Sequence, residues 1–335
     1  MRKFTSFLSD YSIKFVILLP KTASLMDLSI IIPVYNREKI VSSTLNCVAA
    51  QTFRPLNLIL VDNNSSDGTL PVLLDFKESH QAPDFSITVL QESTPGACAA
   101  RNCGLMAAQS EWIMFFDSDD LMTPDYVEQY ALAISRNPDA DLFVTRLQLS
   151  DKNGIRQLAF IPHDIFANHI INSMLSTQRY VARRQHFIDA GAWNAKTPSW
   201  DDWELGIRML LSQPRIHYIS DKARVTAVFT EESITGSNFH SKHGTWEHAI
   251  DIAENDIAQS QIPQKDRLIF LLNYRRVVLA AHYRREKHLE LAQPLYRQAI
   301  ERCSRHPLRR LLLTTAYHYI TVGGRGFGRV VTLLF

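Results

Sequence analysis

Long apolar runs are missing from this chain. Although 46% of its 335 residues are hydrophobic, no stretch reaches the roughly 18 to 20 consecutive apolar positions that a membrane-spanning helix needs. Crossing a bilayer by a helix is therefore not expected, while contact with its surface stays open. Cysteine is scarce as well: Cys47, Cys98, Cys103 and Cys303 have neither the paired spacing of a zinc site nor the density of a disulfide scaffold, which fits a reducing, cytoplasmic setting. Charge of one sign is almost cancelled, with 36 Lys and Arg against 34 Asp and Glu, and a formal net charge of +2 gives the whole chain no drive toward nucleic acid. The apolar run Phe15 to Leu19 follows Lys14 like a short signal core, but it stops at Pro20 without a small-residue cleavage site, so export is not expected. Met26 directly precedes Asp27-Leu28-Ser29, and residues 1–26 read as an extension outside the fold.

What is present alternates strands with helices. Ser29-Ile30-Ile31-Ile32-Pro33-Val34 is a continuous β-branched run, the pattern of a strand buried on both faces of a parallel sheet. Helical spacing over 38–50, a strand over 56–61, a helix over 70–79, a strand over 87–90, a helix over 97–109 and a strand over 112–116 follow. Such alternation predicts a doubly wound α/β sheet whose ligands sit at the carboxyl ends of its strands. Beyond it come a helix over 124–136, an apolar stretch over 141–149 and a polar turn at Asp151-Lys152-Asn153-Gly154 that predicts a hairpin. Past about Thr245 the strand signal vanishes, and residues 266–306 keep helical spacing. At this length one main domain over 27–244 with a helical C-terminal region over 245–335 is expected, since single domains typically hold about 100 to 200 residues.

Two loops fall at one predicted sheet edge. Asp62-Asn63-Asn64-Ser65-Ser66-Asp67-Gly68-Thr69 follows the second strand, and Phe116-Asp117-Ser118-Asp119-Asp120 breaks an apolar run into three carboxylates. Carboxylates so close want a hard cation, although Asp119 or Asp120 could equally N-cap a helix starting near Pro124. A carboxylate just past a strand can accept from the imide N–H of a uracil or from a ribose hydroxyl. The alternative for 62–67 is an Asx turn with a cap at Ser66 or Asp67.

These segments, with Pro33-Val34-Tyr35-Asn36-Arg37-Glu38 and Pro95-Gly96-Ala97-Cys98-Ala99-Ala100-Arg101-Asn102-Cys103-Gly104, resemble the ordered motifs of family 2 glycosyltransferases over residues 28–235. The resemblance implies the GT-A fold, a nucleotide-sugar donor (UDP as the leading choice), Mn²⁺ or Mg²⁺, and inversion at the anomeric carbon. It sets Pro33, Tyr35, Asn36 and Glu38 around base and ribose, Asp62 on the uracil or its equivalent, Arg101 near the diphosphate, Ser118 among the nucleotide-sugar contacts, Asp117 on ribose or metal, and Asp119 as the direct metal ligand. Trp200-Asp201-Asp202-Trp203-Glu204 resembles the acidic pair carrying the base, making Asp202 the expected catalytic carboxylate. Side by side, Asp201 and Asp202 would also raise one another's pKa toward a useful range. Trp193, Trp200 and Trp203 flank that pair as either a sugar-stacking surface or core. Where many relatives carry a histidine before Ser-X-Ser or Ser-X-Thr, this chain has Phe229-Thr230-Glu231-Glu232-Ser233, and His240 and His243 are left out of the metal set.

A saccharide or lipid-linked saccharide acceptor is expected. Arg275-Arg276, Arg284-Arg285, Arg305, Arg309-Arg310 and Arg325 give the C-terminal region the pattern of basic amphipathic helices. That pattern suits either an anionic membrane surface, at the inner face of the cell membrane, or a solvated face packed on the main domain. The competing functional reading is a non-catalytic nucleotide-sugar-binding or scaffold protein.

Overall fold

In the computed structural model, residues 27–158, 160–219, 222–229 and 238–334 are described. Strand β1 (Leu28–Val34) explains the layering: Ile31 faces one hydrophobic core while Ile30 and Ile32 face another, which only a strand covered by helices on both sides can satisfy. The expected alternation continues as α1 (Val41–Ala49), β2 (Leu56–Asp62), α2 (Thr69–His80), β3 (Phe85–Gln91), α3 (Ala97–Ala107) and β4 (Trp112–Phe115). Then come β5 (Leu121–Met122), α4 (Tyr126–Arg136), β6 (Leu142–Thr145), β7 (Leu147–Asp151), β8 (Gly154–Gln157), α5 (Ile165–Asn172), β9 (Tyr180–Arg183), α6 (Arg184–Asp189), α7 (Asp201–Leu211), β10 (Ile216–Ile219) and β11 (Val225–Val228). The C-terminal region is helical: α8 (Thr245–Gln259), α9 (Lys265–Arg285), α10 (Leu289–Arg302), α11 (Pro307–Thr321) and α12 (Phe327–Leu334).

Among the described residues the strands form two sheets. The larger is mixed, in the order β10-β6-β9-β4-β1-β2-β3, with β9 running antiparallel between β4 and β6. The smaller is β5-β11-β7-β8, and its β7–β8 pair is the hairpin turning at 152–153. The apolar stretch over 141–149 is thus divided between two sheets rather than forming one strand.

From β1 the chain winds outward through β2 to β3 and then returns to β4 on the other side of β1, which makes the β1/β4 junction the topological switch point. Pro33 sits where this junction opens. β1 and β4 pair only as far as Ile31 and Phe115, with Phe116 N–H donating to the Ile31 carbonyl at 3.0 Å. The next donor of β1 toward β4 would come from Pro33, which has none, so the ladder ends and the strands part. On the other flank β1 and β2 stay paired to Val34 and Asp62, and α3 lies close over them because Gly104 leaves room for Ile31.

The C-terminal helices join the same continuous core as α3, α5 and α7, with Trp246, Phe270, Leu271 and Tyr283 all buried in it. This changes the reading of the basic residues. Arg276 is fully buried and paired with Asp251 at 2.6 Å and Glu254 at 2.5 Å. Arg275 is tucked over the Trp200 and Trp203 rings at 3.9 and 4.7 Å, so neither belongs to an outward basic face. No helix among the described residues is long and apolar enough to cross a membrane.

Candidate active site

Three loops leave the carboxyl edge of β1, β2 and β4 together. The first two are laced by hydrogen bonds: Asn36 N–H donates to Ser65 Oγ at 3.0 Å, Ser66 N–H to Asn36 Oδ1 at 2.8 Å, Arg37 N–H to Thr69 Oγ1 at 2.8 Å and Gly68 N–H to Glu38 Oε2 at 3.1 Å. Asn36 takes a left-handed backbone (φ 51°), which suits asparagine, to turn its amide into this seam. The side chains of Asn36 and Glu38 therefore build the loop, while Tyr35 is left 56% exposed beside it. Neither Ser66 nor Asp67 caps α2 as an N-cap residue; Gly68 holds that position, and Asp67 accepts from Thr69 N–H at 3.0 Å just inside the first turn. Asp62, 1% exposed, accepts from Ser65 N–H at 3.3 Å through Oδ2, and its buried Oδ1 has no partner. A buried carboxylate oxygen without a donor is costly unless a ligand completes it.

The loop after β4 carries the acidic string. Asp117 is held at both oxygens, by Arg101 Nη2 at 2.8 Å and by Gln178 Nε2 at 2.7 Å. Ser118 is buried, and Asp119 lies beside Arg37 at 3.7 Å. Burial first, and then the neighbouring Asp117, raise the pKa of Asp119, an imbalance that a cation would relieve. Asp120 turns inward instead: it accepts from Val228 N–H at 2.8 Å and from Gln178, and burial raises it to about 8. The helix-capping alternative is thereby excluded, because α4 begins at Tyr126 with Asp125 preceding it. Among the described residues no group of three or more His, Cys, Asp and Glu surrounds a metal position. Asp117 and Asp119 are the carboxylates of this loop that could hold a hard cation, with the rest of its shell left to phosphate oxygens and water, as is usual for Mg²⁺.

Arg101 ties this loop to the expected base. The residue is 6% exposed, and its guanidinium spans from Asp117 to Asp201 Oδ2 (2.7 Å) and lies over the Trp193 ring at 4.3 Å. Burial opposes its charge, but Asp201 and Asp117 outweigh burial and raise its pKa. The neighbouring Asn102 clamps the backbone of Trp193 on both sides, donating to its carbonyl at 2.8 Å and accepting from its N–H at 2.9 Å. Asp201 also accepts from the Cys98 thiol at 3.4 Å, and burial pushes that thiol up to about 12.

Asp201 and Asp202 open α7, where exposed backbone N–H groups favour acids. Asp202 is partly exposed and accepts from Trp203 N–H at 2.7 Å. Burial, then the charge of Asp201, raise its pKa to about 7, with Arg101 opposing. Two supports fix this helix start. His169, fully buried, accepts from Leu175 N–H at 3.0 Å and donates to the Trp203 carbonyl at 2.8 Å, and burial lowers its pKa to about 3, so it stays neutral. Arg275 of α9 donates to the Ile170 carbonyl at 2.8 Å beneath the two tryptophans. Trp193 and Trp203, at 2% and 0% exposure, are core residues and offer a sugar no stacking face; only Trp200, in a left-handed conformation at the head of α7, is partly exposed. Gln178, Arg37, His169 and Arg275 carried no local sequence signal for these roles. The stretch from Thr230 to Ser233 lies outside the described residues, while His240 pairs with Glu286 at 2.9 Å.

Residues 29–192 match the family model described as Glycosyl transferase family 2. The chain belongs to that family. Among its relatives, this glycosyltransferase is 26% identical over 259 residues to the UDP-Glc:alpha-D-GlcNAc-diphosphoundecaprenol beta-1,3-glucosyltransferase WfgD of Escherichia coli, covering 76% of this chain and 94% of WfgD. It is 25% identical over 255 residues to the poly(ribitol-phosphate) beta-N-acetylglucosaminyltransferase TarS of Staphylococcus aureus, covering 73% of this chain but only 43% of TarS. The crystal structure of S. aureus TarS 1-349 in complex with UDP-GlcNAc superposes with a TM-score of 0.68 at 21% identity, over 91% of this chain and 90% of that one. That likeness establishes the GT-A-like mixed sheet with its C-terminal helices. A mannosyltransferase from Pyrobaculum calidifontis in complex with GDP-Man and Mn²⁺ shares the fold more loosely, with a TM-score of 0.53 at 17% identity over 92% and 86% of the two chains. Membership in a family of glycosyltransferases sets aside the non-catalytic reading.

Proposed function

We propose that this glycosyltransferase moves a sugar from a UDP-sugar to a hydroxyl of a saccharide or lipid-linked saccharide during bacterial surface-polysaccharide assembly, with inversion at the anomeric carbon. The observation that carries the reading is the Asp117–Arg101–Asp201 bridge, which joins the acidic loop to the helix start bearing Asp202. Asp62, with its unpartnered Oδ1, would accept from the uracil imide, and the exposed Tyr35 would cover the base. Asp117 and Asp119 would hold Mn²⁺ or Mg²⁺, which stabilises negative charge on the leaving diphosphate. Asp202 takes the proton of the acceptor hydroxyl; the oxygen so freed bonds to the anomeric carbon from the face opposite the diphosphate, which departs with the electron pair. A pKa near 7 suits a base that must be ionised yet basic. The named acceptors of WfgD and TarS, a diphosphoundecaprenol-linked sugar and a poly(ribitol-phosphate), support an acceptor of the glycan-assembly class.

Thermal shift with UDP, GDP and dTDP, each with and without Mn²⁺, tests the donor. UDP should raise Tm only with the metal, and Asp119→Ala should abolish the rise, since a ligand that binds only the folded state stabilises it by mass action. Absence of any nucleotide shift in the folded wild type would remove the donor assignment.

A further inference from the structure

Between Arg302 and Phe335 the chain has no aspartate or glutamate, while Arg305, Arg309, Arg310, Arg325 and Arg329 follow one another. Arg305, Arg310, Arg325 and Arg329 are exposed and have no ion-pair partner among the described residues. The same segment turns apolar side chains outward. Along α11 and at Val322 just past its end, Leu308, Leu311, Tyr319 and Val322 are 58%, 63%, 43% and 84% exposed, spaced along one stripe, while Leu313, Ala316, Tyr317 and Ile320 are buried on the other side. On α12, Val330, Leu333 and Leu334 are 42%, 85% and 55% exposed, and Val331 is buried. The Tyr319 ring packs on Phe327 at 5.7 Å and its hydroxyl donates to the Arg325 carbonyl at 3.2 Å, joining the two helices at their shared corner.

We propose that this α11–α12 face docks on an anionic lipid surface. Apolar side chains clustered on helices and flanked by cations are the composition that sinks into a headgroup layer, with leucines reaching the acyl boundary and arginines meeting phosphates. Charge decides the occupant: a second copy of the same face would bring unneutralised arginines against arginines, whereas anionic lipid neutralises them. The helices that carry the sequence-expected basic pairs at 275–276 are not the ones involved. Gly328 of α12 rests against Ile171 of α5, and α5 packs on α7, so docking would hold the Asp202 helix close to the surface. That last consequence, access to a lipid-linked acceptor, rests on the proposed function; the docking itself does not.

Flotation of the full chain with vesicles tests it, using phosphatidylcholine alone or with about 30% phosphatidylglycerol. Retention on the anionic vesicles should exceed that on neutral ones by about tenfold or more and fall as salt shortens the Debye length. Leu311→Glu with Leu333→Glu should abolish retention, and Arg310→Glu with Arg325→Glu should remove its salt-sensitive part. All four sites are exposed, so Tm and the UDP shift of these variants should match the wild type, which separates a failure of docking from a failure of donor binding. The proposal is overturned if the folded wild type stays in the lipid-free fraction or if the variants float as it does. It is equally overturned if sizing reveals an oligomer that the leucine substitutions break apart.

Discussion

Arg101 is one side chain with two carboxylate partners drawn from segments 84 residues apart, Asp117 and Asp201. A buried cation so placed sets the electrostatics of its neighbours, and the sign of its influence on Asp202 can be followed. The Asp202 pKa is raised to about 7 by burial and then by the charge of Asp201. Removing that charge removes a repulsion against the ionised base and frees Arg101 to favour it, so Asp201→Asn lowers the pKa. In the wild type, kcat/KM should therefore rise with pH through an apparent value near 7, and in Asp201→Asn the same limb should lie at lower pH. Asp202→Asn should lose about 10²- to 10⁴-fold in kcat with little change in UDP affinity, because only the proton acceptor is removed. Steady-state rates across pH, paired with UDP titrations, check both. Asp117, Asp119 and Asp202 could be proposed from the sequence because each belongs to a short acidic string set against apolar residues. Gln178 could not: its partners Asp117 and Asp120 lie about sixty residues upstream, and one amide in a 3-10 turn has no local signature.

At the scale of elements, the strands that could be read were those whose burial is written into their own composition. β1 and β2 are runs of isoleucine, leucine and valine buried on both faces. β9 is Tyr-Val-Ala-Arg, four residues that become the antiparallel strand between β4 and β6 only because those strands leave a slot for it. Pairing of that kind is a property of the sheet, not of the segment. The start of α7 depends likewise on a distant element: a methyl group at Gly206 would collide with the His169 ring. Gly206→Ala should therefore disturb the bond from His169 to the Trp203 carbonyl, destabilising the fold by about 1 to 3 kcal/mol, as overpacking typically does. Urea denaturation would measure the loss. A stability equal to wild type would mean that His169 has room to withdraw.

For the molecule as a whole, the sheet with carboxyl-edge loops and the helical C-terminal region were both visible in the sequence, the first from alternation and the second from the end of strand patterning. Their shared core was not, since helical periodicity says which face is apolar but not what covers it. Trp200 packs on Trp246 at 4.8 Å and under Arg275, and Trp203 is fully buried in the core that α9 completes. A fragment ending at Gly244 should accordingly fail to fold cooperatively, with a melting transition lost or far below that of the full chain. Circular dichroism on the fragment decides it, and a fragment melting like the parent would make the helices a true appendage.

That shared core also orders events in time. As the chain is synthesised, β1, β2 and β4 emerge before residue 120 and can assemble the edge that would receive a nucleotide, whereas the surroundings of Asp202 wait for Arg275 and its helix, made some seventy residues after the proposed base. A nascent chain would thus have the makings of the proposed donor pocket well before the proposed proton acceptor is seated. On the proposed roles, the donor side of the site would form first, and the acceptor side would close only when the later-translated helices pack over it.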